Sequence, residues 1–117
     1  MINLAELKKQ IETDPVNWAI YLMDFVDDFR YYRDQSAIRE PFALDNPRVD
    51  ALLASTTEYL CDEAGIAPPA WMEQVPACRT PYFVSGIESL KSFTLVQSPA
   101  RFRIRKIFVL ENFLNRV

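Results

Sequence analysis

Histidine is absent from this chain of 117 residues, and glycine occurs only at Gly65 and Gly86. The first absence removes the commonest general base near neutral pH and the commonest metal ligand, which excludes most catalytic triads and most zinc sites. The second leaves no GxxxxGK or GxGxxG pattern, so there is no glycine-rich loop to cradle a phosphate. Cysteine is scarce as well. Cys61 and Cys78 have neither a CxxC spacing nor a histidine neighbour to lower a thiol pKa, and they read as packing residues of a reduced protein rather than as a disulfide. No apolar run approaches the roughly 18 residues that span a bilayer. The longest, residues 18–23, stops at Asp24. Residues 3–12 form an amphipathic pattern with Glu6, Lys8 and Lys9, not a basic stretch leading into an apolar one. The expectation is a cytoplasmic chain with no export leader and no membrane contact.

What is present is material for one core. Half of the residues are hydrophobic and 13% are aromatic, too apolar for disorder. The length lies within the usual range for one domain, about 100 to 150 residues. The expected fold is all-α: a single domain over residues 1–117, an irregular helical bundle of about five to six helices.

Leu4, Leu7 and Ile11 fall on one helical face behind Asn3, which predicts a helix over residues 4–13. Asp14 and Pro15 supply a cap oxygen and a residue already fixed at helical φ, which predicts a helix over 15–33. With Trp18, Leu22, Phe25, Val26 and Phe29 on its apolar face, this segment reads as the central helix and Trp18 as largely buried. Residues 34–44 lack a period and read as a loop with a helical turn near Ala37. Asn46 and Pro47 repeat the start signal, and Gly65 closes the next helix. Four prolines between Pro68 and Pro81 predict a rigid loop pinned by Trp71, with a short helix opened by Pro69. Ile87, Leu90, Phe93 and Leu95 predict a helix over 86–97. Leu110, Phe113, Leu114 and Val117 predict a final one. Between these, residues 101–105 alternate basic and apolar side chains, a strand-like pattern that the Ser98-Pro99 start tips towards helix.

Three constellations could carry function. Asp24, Asp27 and Asp28 share one helix at i, i+3 and i+4, so they could meet at a hard cation such as magnesium; the ordinary alternative is a solvated acidic face. Trp18, Tyr21, Tyr31, Tyr32, Trp71, Tyr82 and Phe83 could build an aromatic pocket, although helical core stripes already account for most of them. The most informative segment is residues 98–117. It carries a net charge of +4 on a chain whose first 97 residues carry −7. Arg101, Arg103, Arg105 and Lys106 there are the candidate partner-binding residues, free to pair with the acidic helices or to dock an acidic protein. Nucleic-acid binding is disfavoured because the acidic body would repel phosphate.

Pro69, Trp71, Pro81, Tyr82, Phe83 and Leu90, followed by the run from Ser98 through Val109 and by Leu114 and Arg116, resemble the C-terminal segment of certain bacterial helix-turn-helix regulators, some of them antitoxin-like. The resemblance covers residues 67–117. Residues 1–65 show no DNA-reading helix-turn-helix unit, so what the resemblance implies is a partner-binding domain. The leading expectation is a non-catalytic bacterial protein-interaction or antitoxin-like accessory module, with no cofactor and no metal. The alternatives are a nucleic-acid-binding regulator using the basic segment and, third, a metal-dependent phosphate-processing enzyme using Asp24, Asp27 and Asp28.

Overall fold

Asn3 opens the first helix with a reciprocal cap: its side chain accepts the Glu6 N–H at 2.8 Å, and the Glu6 carboxylate accepts the Asn3 N–H at 3.1 Å. A computed structural model describes residues 1–84, 94–95, 97–110 and 112–115. In it α1 (Leu4–Thr13) buries Leu4, Leu7 and Ile11 as the spacing predicts. It also buries Lys8, whose ammonium donates to Ala43 O and Asp45 and lies 2.9 Å from Asp50 Oδ1. Burial alone would push the Lys8 pKa down, but the two carboxylates outweigh it and hold it above its ordinary value.

A 3-10 turn at Pro15–Asn17 leads into α2 (Trp18–Tyr32). Asp14 does not cap the helix with its side chain; it accepts from Asn17 Nδ2 at 2.9 Å and from the Tyr21 hydroxyl at 2.7 Å. Leu22, Phe25, Val26 and Phe29 are buried, but Trp18 is only partly so and Ile20 is 59% exposed. The expectation of a central α2 with a largely buried Trp18 is therefore corrected. α2 packs on α1 and α4 along one side and keeps the other at the surface. The centre is α4 (Pro47–Ala64), where every residue from Asp50 to Glu58 is buried. Its periodicity hid this role, because Ser55, Thr56, Thr57 and Glu58 look like a solvent face until other elements cover them. Gly65 ends α4 at φ 73°, and the Ile66 N–H turns back onto Cys61 O at 2.9 Å, a Schellman closure that needs the left-handed conformation.

The short helix α3 (Ser36–Arg39) lies in the loop predicted to hold a helical turn. The proline loop contains a 3-10 turn at Ala70–Gln74, pinned as predicted: Trp71 Nε1 donates to Ile38 O at 3.1 Å, and the indole meets Phe42 edge-on at 5.2 Å. The predicted helix over 86–97 lies largely outside the described residues; Thr94 and Leu95 are helical. Beyond it, α5 (Ala100–Arg103) bears out the helical reading of the basic segment, followed by a turn at 104–106.

One expectation fails here, that of the final helix, and one element appears that the sequence did not announce. The chain forms a two-residue parallel ladder between β1 (Tyr82–Phe83) and β2 (Ile107–Phe108), with Tyr82 opposite Ile107 and Phe83 opposite Phe108. The final helix is replaced, over residues 112–115, by turns. Ser98 Oγ accepts the Val109 N–H at 2.8 Å, holding the chain out of helical register, and Arg30 Nη1 takes the Leu114 carbonyl at 2.7 Å. The apolar spacing served burial instead: Leu114 is buried, and Phe113 packs between Trp18 and Phe102 at 6.3 and 6.1 Å between ring centroids. The all-α class stands, in a compact globule with a radius of gyration of 13.3 Å.

Cys61 and Cys78 are free and buried. Burial pushes the Cys61 thiol up to about 11, so little thiolate exists at neutral pH. Reductant should leave the melting temperature unchanged, and a thiol-specific reagent should label both residues only after unfolding. A melting temperature lowered several degrees by reductant would instead reveal a disulfide worth about 2 to 4 kcal/mol.

Candidate functional site

The four cations singled out in the basic segment separate into two pairs. Arg105 is buried: it forms an ion pair with Glu58 of α4, and its guanidinium donates to Val75 O at 3.2 Å and Met72 O at 2.7 Å. Arg101 forks onto Asp62 at 2.8 and 2.9 Å and stands 3.5 Å from the second Glu58 oxygen. The Arg101 guanidinium holds the Asp62 carboxyl below the usual carboxylate range. These two arginines fasten the segment to α4, and the expectation that Arg105 offers itself to a partner is corrected. Arg103 and Lys106 are exposed, and neither has an ion-pair partner among the described residues.

The backbone explains the division. α5 and the turn that follows it, closed by the Arg105 N–H on Phe102 O at 3.1 Å, bring Phe102 and Arg105 inward together, three residues apart, and leave Arg103 and Ile104 outside. Lys106 then takes φ 59°, a left-handed conformation that costs a side-chain-bearing residue about 1 to 2 kcal/mol and sends the chain into β2. The ladder joins this turn to the proline loop, with Cys78 N–H donating to Arg105 O and Tyr82 N–H to Lys106 O, both at 2.9 Å.

Two further cations arrive by this route, and they had escaped notice in the sequence. Arg79 follows Cys78 at the turn, and Arg48 stands in the first turn of α4 with its guanidinium carbon 4.9 Å from the Tyr82 ring centroid. Burial pushes the Cys78 thiol up while Arg48 and then Lys106 pull it down, so both cations project their field onto one spot. Arg48, Arg79, Arg103 and Lys106 are all exposed, and none has an ion-pair partner among the described residues; Arg79, Arg103 and Lys106 lie on the backbone that the ladder and the turn at 103–106 bring together, and Arg48 and Lys106 both act on Cys78.

Beside Arg48 lies a cleft of about 230 Å³ lined by Ile11, Pro15, Trp18, Asn46, Val49, Leu52 and Tyr82, with the Asn46 amide donating to the Glu12 carboxylate at 3.0 Å. Of the aromatic residues considered for a pocket, this cleft gathers only Trp18 and Tyr82. Tyr31 and Tyr32 are exposed and pack edge-on against each other, Trp71 packs on Phe42, and Phe83 stacks on Phe108. Among the described residues no group of three acidic or cysteine side chains is placed to hold a metal ion, so Asp24, Asp27 and Asp28 do not form one. No helix among the described residues is long and apolar enough to cross a membrane.

No family model, curated protein or solved structure matches this chain.

Proposed function

We propose that this chain is a non-catalytic protein-interaction module that docks an acidic partner protein through Arg48, Arg79, Arg103 and Lys106. The observation that carries the reading is that these four exposed cations, on the start of α4 and on the backbone around the ladder, have no ion-pair partner among the described residues of a protein of net charge −3. Such a face attracts and orients an acidic partner, while the acidic remainder of the molecule repels the long phosphate backbone of a nucleic acid. The resemblance of residues 67–117 to the C-terminal segment of antitoxin-like regulators points the same way, to an accessory module in a bacterial cytoplasm. Free buried thiols suit that reducing compartment.

Capture from nuclease-treated lysate of the source cell tests the reading, with wild-type protein beside the triple variant Arg79→Gln, Arg103→Gln, Lys106→Gln. The variant should melt within a degree or two of wild type, because exposed charge changes shift stability by less than about 0.5 kcal/mol. It should lose an acidic protein that the wild type retains at low salt and releases at high salt. If the variant keeps every wild-type partner, the docking face is wrong. If capture disappears with nuclease alone, the face binds nucleic acid instead.

A further inference from the structure

Resting on the docking reading, we propose that the cleft between Trp18, Val49 and Tyr82 is an anchor pocket for one bulky apolar side chain on an acidic segment of the partner, with Arg48 holding a carboxylate of the same segment. The size of the cleft comes first. About 230 Å³ falls below the roughly 300 to 1,000 Å³ of pockets that enclose a drug-sized ligand or cofactor, and suits a single side chain. Its lining comes second: Ile11 and Leu52 are core residues at its floor, and Trp18, Val49 and Tyr82 remain partly exposed around it. A mostly apolar hollow with aromatic walls is the kind of place where interface energy concentrates, because an inserted side chain loses part of its contact with water there.

The charge beside the cleft determines the chemistry of the occupant. Arg48 lines the same hollow and is held over the Tyr82 ring at 4.9 Å, which orients its planar fork. Among the described residues it has neither an ion-pair partner nor a side-chain hydrogen bond, which leaves its N–H donors open to a carboxylate. The cations do not stop at the cleft. Tyr82 N–H bonds Lys106 O, so Lys106 stands next to the Tyr82 wall, and Arg79 and Arg103 flank the same turn. One anchor beside Arg48, with Lys106 next to the Tyr82 wall and two further cations flanking that turn, fits an extended acidic peptide, whereas a small free carboxylate would use one cation of the four.

Selection of random peptides displayed on phage against the full chain, followed by fluorescence polarisation with the enriched peptide, tests the proposal. Enriched sequences should combine several Asp or Glu with one Phe, Leu, Ile or Met. Replacing that apolar residue by Ser should weaken binding about tenfold or more, and Arg48→Glu should do the same. In a Trp71→Phe background, the emission of Trp18 should shift on binding. If the enriched peptides are acidic, lose affinity for the Arg79, Arg103 and Lys106 triple variant, yet ignore the Ser replacement and leave Trp18 emission unchanged, the anchor pocket is refuted and the docking face survives. Enrichment of peptides without acidic residues, or no enrichment at all, overturns both.

Discussion

Arg105→Ala should destabilise the fold by about 3 to 5 kcal/mol, enough to unfold much of a domain of ordinary stability. The reason is what the substitution leaves behind. Glu58 is 3% exposed on the central helix, and without Arg105 its carboxylate would face only Arg101, at 3.5 Å, in the interior. The carbonyls of Val75 and Met72 would lose their donor at the same time, each a buried acceptor with a desolvation cost of its own. Removing both charged partners is a different matter. Arg105→Met together with Glu58→Leu should cost clearly less than Arg105→Ala alone, since no carboxylate is left buried without its partner, and what remains is the loss of the donor to the Val75 and Met72 carbonyls. Denaturant midpoints of the single and double variants check this. A single variant within 1 kcal/mol of wild type would mean that Arg105 is not locked into the interior. By comparison the exposed forks, Arg30 on Glu63 and Arg101 on Asp62, should each contribute less than about 1 kcal/mol after solvent screening.

Phe102→Ala should cost about 3 to 5 kcal/mol as an aromatic-to-cavity change, while Ile104→Ala, two residues on, should cost less than about 0.5 kcal/mol. Phe102 is 1% exposed and touches Tyr59 and Phe113, with ring centroids 6.0 and 6.1 Å away; Ile104 is 63% exposed. The contrast separates the two readings of residues 101–105. A strand would place Phe102 and Ile104 on the same face with the arginines opposite, and both substitutions would then be costly. Thermal melts of the two variants decide between them, equal losses favouring the strand.

Those five residues also mark how far the sequence was legible. The α1 cap at Asn3, the proline start of α4 and the Gly65 stop are local devices, and they could be read within a residue or so because cap chemistry depends on near neighbours, whereas Pro15 opens a 3-10 turn three residues ahead of α2. Trp18 was misjudged because periodicity gives the face of a helix but not how deeply it sinks. The burial of Thr56 and Glu58 was invisible for the same reason. The two-residue ladder offers no periodic signal at all, being shorter than any pattern that alternation can reveal.

The docking site was half legible. Arg103 and Lys106 stood out as part of a basic run, but Arg105 looked equivalent to them, since nothing local says that the acid it meets is Glu58, 47 positions away. Arg48 and Arg79 were missed altogether. Arg48 stands between Asp45 and Asp50 and Arg79 is the lone charge of residues 74–87, and only the ladder at Tyr82 and the turn at Lys106 link their surroundings to the basic segment. A charge tally along the chain sums what is adjacent in sequence, whereas the field a partner meets is summed in space.

The claim that the basic segment divides into a structural half and a docking half is tested most directly by measuring melting temperature and partner capture on the same preparations of Arg105→Gln and of the Arg79, Arg103 and Lys106 triple variant. The account predicts opposite outcomes: Arg105→Gln melts many degrees lower, whereas the triple variant melts with wild type and captures no acidic partner. A triple variant that melts as low as Arg105→Gln, or an Arg105→Gln protein that melts with wild type, would contradict it.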